Sequence, residues 1–167
     1  MIVEKILGNI AECMAGDKEI NKVYLEWFEL DKKLLRKVTS DGEEVGIRIE
    51  GHLQEGDILY EDEKQRLVVD TLPTELTIVK VSTMEEMGRL CFELGNRHLS
   101  LAIEETRVSV PYDEPTYLYL EKLGFEPQKV KEKFTRFTVC NAHGNSHTNE
   151  KLHIHIGGQE NAETRVY

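Results

Sequence analysis

Short runs of alternating apolar and polar residues fill the first part of the chain, and turn residues separate them. This period-two pattern is typical of β-strands. Runs at residues 34–39 and 44–49 flank Asp41-Gly42, and Asp-Gly favours the positive φ that a tight hairpin needs. We therefore predict a small all-β domain of two packed sheets over residues 1–74, ending in a linker at residues 71–74.

The pattern changes after this first domain, because strands and helices now alternate. A strand at residues 76–81 precedes a helix from about residue 84, where Thr83 and Glu86 have the spacing of a capping box. Two short strands, a second helix and a final extended segment follow. The order β-α-β-β-α-β predicts a ferredoxin-like domain over residues 75–140, with both helices on one face of its sheet. The fold class is thus α+β.

Apolar residues become sparse after Cys140, so residues 141–167 are predicted to form a flexible tail. The tail carries four of the six histidines: His143, His147, His153 and His155. Imidazole is the commonest protein ligand for late first-row metals. These histidines are spaced rather than contiguous, unlike a purification tag, and their density favours metal binding over a merely solvated tail.

A further histidine, His98, ends an apolar helical stripe. The stripe has three- and four-residue spacing and comprises Met84, Met87, Cys91 and Leu94. A histidine at such a position is more often a core or cap residue than a ligand. In the last helical turn, however, it would lie near the negative end of the macrodipole, and Gly95 would let another backbone approach. A twofold homodimer would bring two such imidazoles to one ion.

Composition and charge narrow the function further. The chain has 31 acidic and 21 basic residues, a net charge of −10, which would repel nucleic acid. Three widely separated cysteines favour a reducing compartment. The sequence shows neither a signal-peptide pattern nor about 18 consecutive apolar residues, so a cytoplasmic protein without membrane association is expected.

Several segments of the sequence resemble one known family. They are Leu25-Glu26-Trp27-Phe28, the hairpin at Asp41-Gly42, Leu53-Gln54-Glu55-Gly56-Asp57-Ile58-Leu59, Gly95-Asn96-Arg97-His98 and the histidine-bearing C-terminus. Together they are similar to urease accessory protein E, the UreE family of nickel metallochaperones. The resemblance covers nearly the whole of the chain before the tail.

The resemblance implies a β-domain that docks a partner or urease, and a ferredoxin-like domain that forms a homodimer. His98 of both subunits would bind Ni²⁺, tail histidines would complete the shell, and Zn²⁺ or Cu²⁺ could substitute. The implied partners are the urease maturation GTPase UreG, the other urease accessory proteins and the urease apoenzyme. Because no histidine lies between His98 and His143, a second internal site is not expected.

Other interpretations of the sequence stay open. One is a general Zn²⁺- or Cu²⁺-binding protein, and another is an interaction adaptor whose histidine tail is incidental. A zinc or copper hydrolase is a third, but it would need an ordered site with a general base beside it. The sequence has no H-E-x-x-H, P-loop or G-x-G-x-x-G motif, so we predict that the protein is not an enzyme.

Overall fold

The structure, a computed structural model, describes residues 1–12 and 18–138. The first half of this part is all-β apart from one 3₁₀ turn at Trp27–Glu29. Its strands are β1 (Ile2–Val3), β2 (Gly8–Asn9), β3 (Glu19–Leu25), β4 (Leu34–Val38), β5 (Glu44–Arg48), β6 (Asp57–Glu61) and β7 (Gln65–Thr71). They form two sheets, ordered β1-β5-β4 and β2-β6-β7-β3, which confirms the predicted pair of sheets.

The predicted hairpin is present in the first of these sheets. β4 and β5 pair antiparallel with Val38 opposite Glu44, and Gly42 in the turn has φ 90°. Strand β3 ends at Leu25, and the 3₁₀ turn begins two residues later at Trp27. The Glu29 side chain accepts a hydrogen bond from the Glu26 backbone, so a capping box ends the strand there.

The second half alternates strands and helices. Its elements are β8 (Pro73–Lys80), α1 (Met84–Asn96), β9 (Ala102–Ile103), β10 (Arg107–Pro111), α2 (Glu114–Lys122) and β11 (Gln128–Lys133). The sheet order β11-β8-β10-β9, with antiparallel neighbours, confirms the ferredoxin-like plan. The predicted capping box also forms, since Thr83 Oγ1 accepts from the Glu86 N–H at 3.1 Å.

The predicted linker between the two halves is shorter than expected. β7 ends at Thr71 and β8 begins at Pro73, so Leu72 alone separates them. Its N–H donates to the Leu25 carbonyl at 2.8 Å, which joins this connection to β3. The boundary at residue 74 falls inside β8 and stays a prediction.

Strand β8 contributes to two hydrophobic cores because its side chains alternate between the faces of its sheet. Leu76 and Ile78 join the core of the N-terminal sheets. Val79 belongs to the other core, on the helical face, where it packs with Leu90 of α1 and Leu120 of α2. The ferredoxin-like sheet therefore has helices on one face and the N-terminal sheets against the other.

Candidate metal site

His98 lies immediately beyond α1. The helix ends at Asn96, Arg97 is its C-cap, and His98 adopts the left-handed conformation with φ 55°. The His98 N–H donates to the Gly95 carbonyl at 2.9 Å, which closes the final turn. His98 therefore lies just beyond the last helical turn in which it was expected, since α1 ends at Asn96 and Arg97 is its C-cap. The His98 side chain is exposed.

The apolar stripe of α1 also differs from the predicted one. Leu90 and Leu94 are buried, whereas Met84 is 85% exposed. Met87 and Cys91 are partly buried and pack against the edge of the core. The buried face is centred on Leu90 and Leu94, because the core lies to one side of the stripe expected from spacing alone.

Arg97 anchors the end of α1 to α2. Its Nε donates to Thr116 Oγ1 at 3.3 Å, and its guanidinium lies 4.9 Å from the ring centre of Tyr119. Tyr119 in turn donates to Glu93 at 2.5 Å, and this hydrogen bond raises the pKa of the phenol. These contacts hold the Arg97 charge toward α2 and fix the backbone from which His98 projects.

The last described residues come back to the segment that carries His98. The Thr138 N–H donates to the Leu101 carbonyl at 2.8 Å, and the Leu101 N–H donates to the Thr138 carbonyl at 3.3 Å. Leu101 is buried and follows His98 by three residues. These two hydrogen bonds hold Thr138, the last described residue before the histidine-rich end, against the segment that follows His98.

Beside His98, α1 presents an exposed face of large apolar and small residues. Met84, Gly88, Phe92 and Gly95 recur at spacings of four, four and three, so they share this face. Met84 and Phe92 are 85% and 66% exposed. A Cβ added at Gly88 or Gly95 would meet nothing within 4 Å, so packing within the described chain does not require glycine there.

The other predicted ligands fall outside the part of the chain that the structure describes. The predicted ligands His143, His147, His153 and His155 lie outside the described residues, as do Cys13 and Cys140. Within residues 1–12 and 18–138, no group of three or more histidine, cysteine and acidic side chains could hold a metal ion.

Besides His98, the described part of the chain has one cysteine and one further histidine, and both are engaged elsewhere. The Cys91 thiol lies 3.9 Å from the Met87 sulfur, and burial raises its pKa, so it behaves as a small hydrophobe. His52 lies in the N-terminal half, with Nδ1 2.6 Å from Asp31 Oδ1.

Comparison with protein families accounts for both halves of the fold. Residues 3–72 match the family model described as UreE urease accessory protein, N-terminal domain, and residues 74–161 match that of the C-terminal domain. The chain belongs to the UreE family. The range that matches the C-terminal domain model, residues 74–161, includes His98 and all four tail histidines of this chain.

Individual UreE relatives agree with the family match. A urease accessory protein UreE from Bifidobacterium longum subsp. infantis is 44% identical over 149 residues, which cover 89% of this chain and 67% of the relative. One from Acetivibrio thermocellus is 41% identical over 89% of this chain and 98% of its own length. A third, from Actinobacillus pleuropneumoniae, is 35% identical over 84% of this chain and 79% of its own length.

Sequence reasoning predicted His98 and the tail histidines as ligands, which stays a prediction, and it missed the contacts around the segment of His98. The Arg97–Thr116 hydrogen bond and the Leu101–Thr138 pairing join residues remote in sequence, for which no local spacing gives a signal. None of the helices in the described part of the chain is long and apolar enough to cross a membrane.

Proposed function

We propose that this protein is a nickel metallochaperone of urease maturation. It binds Ni²⁺ as cargo at a site built from His98 of two subunits and delivers the ion for assembly of the urease active site. The observation that carries the proposal is the pairing of Thr138 with Leu101, because it starts the histidine-rich tail beside His98. The names of the UreE relatives, all urease accessory proteins, supply the biological context.

The homodimer forms through the exposed face of α1. Glycine inside a helix costs roughly 0.5–1 kcal/mol relative to alanine, and packing within the described chain does not call for it at Gly88 or Gly95. A second helix approaching closely accounts for both glycines and covers Met84 and Phe92. A twofold axis that passes near Gly95, at the C-terminal end of this face, would bring the two copies of His98 together.

The tail histidines can reach this site. His143 is five residues beyond Thr138, and an extended chain spans at most about 3.6 Å per residue, or roughly 18 Å over that distance. His147, His153 and His155 have longer reach. We propose that one or more of them completes the shell begun by the paired His98 side chains.

A site assembled in this way favours transfer over storage. Ordering a tail segment opposes binding entropically, which keeps the affinity moderate and lets a partner's ligands replace tail histidines one at a time. Neutral imidazole also binds Zn²⁺ and Cu²⁺, and the Irving–Williams order makes Cu²⁺ the tightest of the three. Selection of Ni²⁺ therefore depends on metal availability and on the partner.

The three segments of the chain have different roles in this function. Residues 75–140 dimerise and bind the metal, residues 141–167 supply further ligands, and residues 1–74 dock a partner. The partners are the GTPase UreG, the other urease accessory proteins and the urease apoenzyme, and the protein acts in the cytoplasm. It is a carrier rather than an enzyme, since transfer of the ion exchanges coordination bonds and requires no covalent reaction at its own residues.

An exposed apolar groove supports the docking role of residues 1–74. It lies on the outer face of the β1-β5-β4 sheet and has a volume of about 520 Å³. Ile2 and Leu34, two of its lining residues, are 76% and 73% exposed. Large apolar side chains exposed together are typical of a protein-binding surface.

Equilibrium dialysis of the intact chain against Ni²⁺ tests the metal site. We expect one tight ion per two chains, loss of that ion in His98→Ala, and weaker retention when all four tail histidines are alanine. Glu63→Ala is the control, because Glu63 is exposed in the turn between β6 and β7 and should leave nickel binding unchanged. Undiminished binding by His98→Ala would contradict the proposed site.

Delivery needs a separate assay. Urease apoenzyme is incubated with limiting Ni²⁺ and the other accessory proteins, with or without this protein, and urease activity is measured. The intact chain should accelerate activation, and His98→Ala should not. An adaptor with an incidental tail would instead support activation equally well with alanine at residue 98.

A further inference from the structure

A positive charge directly precedes the proposed nickel ligand in the chain. Arg97 is bonded to His98, and both residues are exposed. The proposed twofold dimer would therefore bring two arginines, as well as two imidazoles, to one doubly charged ion. Because like charges repel, an unrestrained arginine at this position would oppose the binding of Ni²⁺.

The structure holds the Arg97 guanidinium on α2 instead. The guanidinium lies 4.9 Å from the ring centre of Tyr119, and its Nε donates to Thr116 Oγ1 at 3.3 Å. The face of an aromatic ring attracts an arginine electrostatically. Thr116 is itself fixed, because it is buried and its N–H donates to Asp113 Oδ1 at 3.0 Å.

The ring that receives Arg97 is held from its other end. The Tyr119 hydroxyl donates to Glu93 Oε2 at 2.5 Å. Glu93 precedes Arg97 by four residues, and residues at this spacing are neighbours on a helix surface, so its carboxylate also attracts the guanidinium. The ring and the carboxylate together favour one direction for the Arg97 side chain, towards α2.

We propose that Tyr119 is a positioning residue for the nickel site, although it does not touch the ion. It holds the Arg97 charge on α2 and so reduces repulsion of the ion that His98 binds. The ring is the main restraint, because the Thr116 hydrogen bond, at 3.3 Å, is long for its type. The inference rests on the proposed function and deepens it, since it adds an electrostatic determinant of nickel affinity.

The size of the effect follows from Coulomb's law. One unit charge about 8 Å from a doubly charged ion in water lowers its binding about sixfold before screening by salt. Two freed arginines would act in the dimer, but each would spend part of its time farther away. We therefore expect nickel affinity to fall about fivefold at about 10 mM salt, where the screening length is roughly 30 Å. At about 1 M salt the screening length is roughly 3 Å, so the effect should nearly vanish.

Calorimetric titration of Ni²⁺ into four full-length proteins tests the proposal. The proteins are the natural chain, Tyr119→Leu, Arg97→Gln and the double variant. Tyr119→Leu removes the ring but keeps an apolar side chain with high helix propensity, and it should weaken nickel binding about fivefold at low salt. In the Arg97→Gln background the same substitution should have no effect, because no charge is then released.

Two further variants serve as controls. Tyr119→Phe keeps the ring face and should bind nickel within about twofold of the natural chain. Phe125→Leu is the matched control, because Arg89 of α1 lies 5.2 Å from the Phe125 ring centre in a contact of the same kind. Arg89 precedes Arg97 by eight residues, or about 12 Å along the helix. Its release should leave nickel affinity unchanged.

The outcomes distinguish this inference from the function on which it rests. Weakening by Tyr119→Leu that is equal in both backgrounds, that persists at about 1 M salt or that is absent at low salt overturns the positioning role and leaves the metal site intact. A nickel affinity that is unaffected by His98→Ala overturns both. If Tyr119→Leu is misfolded by circular dichroism or monomeric by sedimentation velocity, Tyr119→Met is compared in the same two backgrounds.

Discussion

At the scale of single residues, His98 combines an exposed imidazole with a left-handed backbone. That conformation costs a non-glycine residue roughly 1–2 kcal/mol, and glycine is the common choice just after a helix. A histidine at this position forgoes the stability that glycine would give, and this cost can be measured.

His98→Gly should therefore stabilise the fold while removing the metal ligand. We expect the free energy of unfolding to rise by about 1 kcal/mol, measured by urea denaturation without metal, and nickel binding to be lost. His98→Ala should also lose nickel but gain no stability, because alanine carries the same backbone penalty. A glycine variant less stable than the natural protein would contradict this account of the turn.

The Asp70 carboxyl, also at the residue scale, should make the free energy of unfolding depend on pH. Burial opposes its ionisation, but hydrogen bonds from Lys133 at 2.6 Å and Lys22 at 2.7 Å outweigh burial and lower its pKa. A carboxyl whose folded pKa is depressed stabilises the fold above its unfolded pKa, about 3.9. That contribution is lost as the pH falls through the folded value.

Asp70→Asn should consequently be less stable than the natural protein near pH 6, and the difference should shrink below about pH 4. Urea unfolding across this pH range measures the difference in unfolding free energy. If the difference in unfolding free energy between the two proteins does not change with pH, the ion pairs of Asp70 are not its cause.

At the scale of elements, α1 has two faces with different roles. Leu90 and Leu94 pack it onto its own sheet, while Met84 and Phe92 face outward. A charged side chain on the outward face should leave the subunit fold unchanged but oppose pairing of two such helices.

Phe92→Glu is therefore expected to yield a folded monomer that binds Ni²⁺ weakly. Sedimentation velocity measures the oligomeric state, and circular dichroism checks the fold. Leu118→Glu is the matched control, because Leu118 is 47% exposed on α2 and its substitution should leave the dimer intact. A Phe92→Glu protein that still forms the dimer would exclude this face as the interface.

At the scale of the whole molecule, the two halves share structure through β8 and the segment after β11. Leu76, Ile78 and Phe134 lie in the core of the N-terminal sheets, although they belong to the ferredoxin-like half. Lys133 adds ion pairs to Glu55 and Asp70 across the same boundary. Separation of the halves would expose this apolar surface and break these pairs.

We thus expect both halves to unfold in one cooperative step. Trp27, the sole tryptophan, reports the N-terminal half by fluorescence, whereas α1 and α2 dominate the far-ultraviolet circular dichroism. The two urea transitions should coincide. Two midpoints that differ between the probes would show that the halves behave as separate domains.

The sequence by itself determined the order of elements, the hairpin, the capping box at Thr83 and the α+β class. These depend on periodicity and on residues close together in the chain, so they can be recognised locally. The resemblance to the UreE family rested likewise on short contiguous segments. The tail histidines lie outside the described residues, and their role as ligands stays a prediction.

Only the tertiary structure decided which groups meet. Spacing predicted His98 in the last helical turn, but α1 ends at Asn96 and His98 follows its C-cap with φ 55°. The deciding contacts join residues that are remote in sequence. Thr138 pairs with Leu101, Trp27 packs against Phe134 and Phe137, and β8 contributes side chains to both cores. Such contacts depend on how finished elements pack, because a local pattern specifies the face that an element buries but not the partner that covers it.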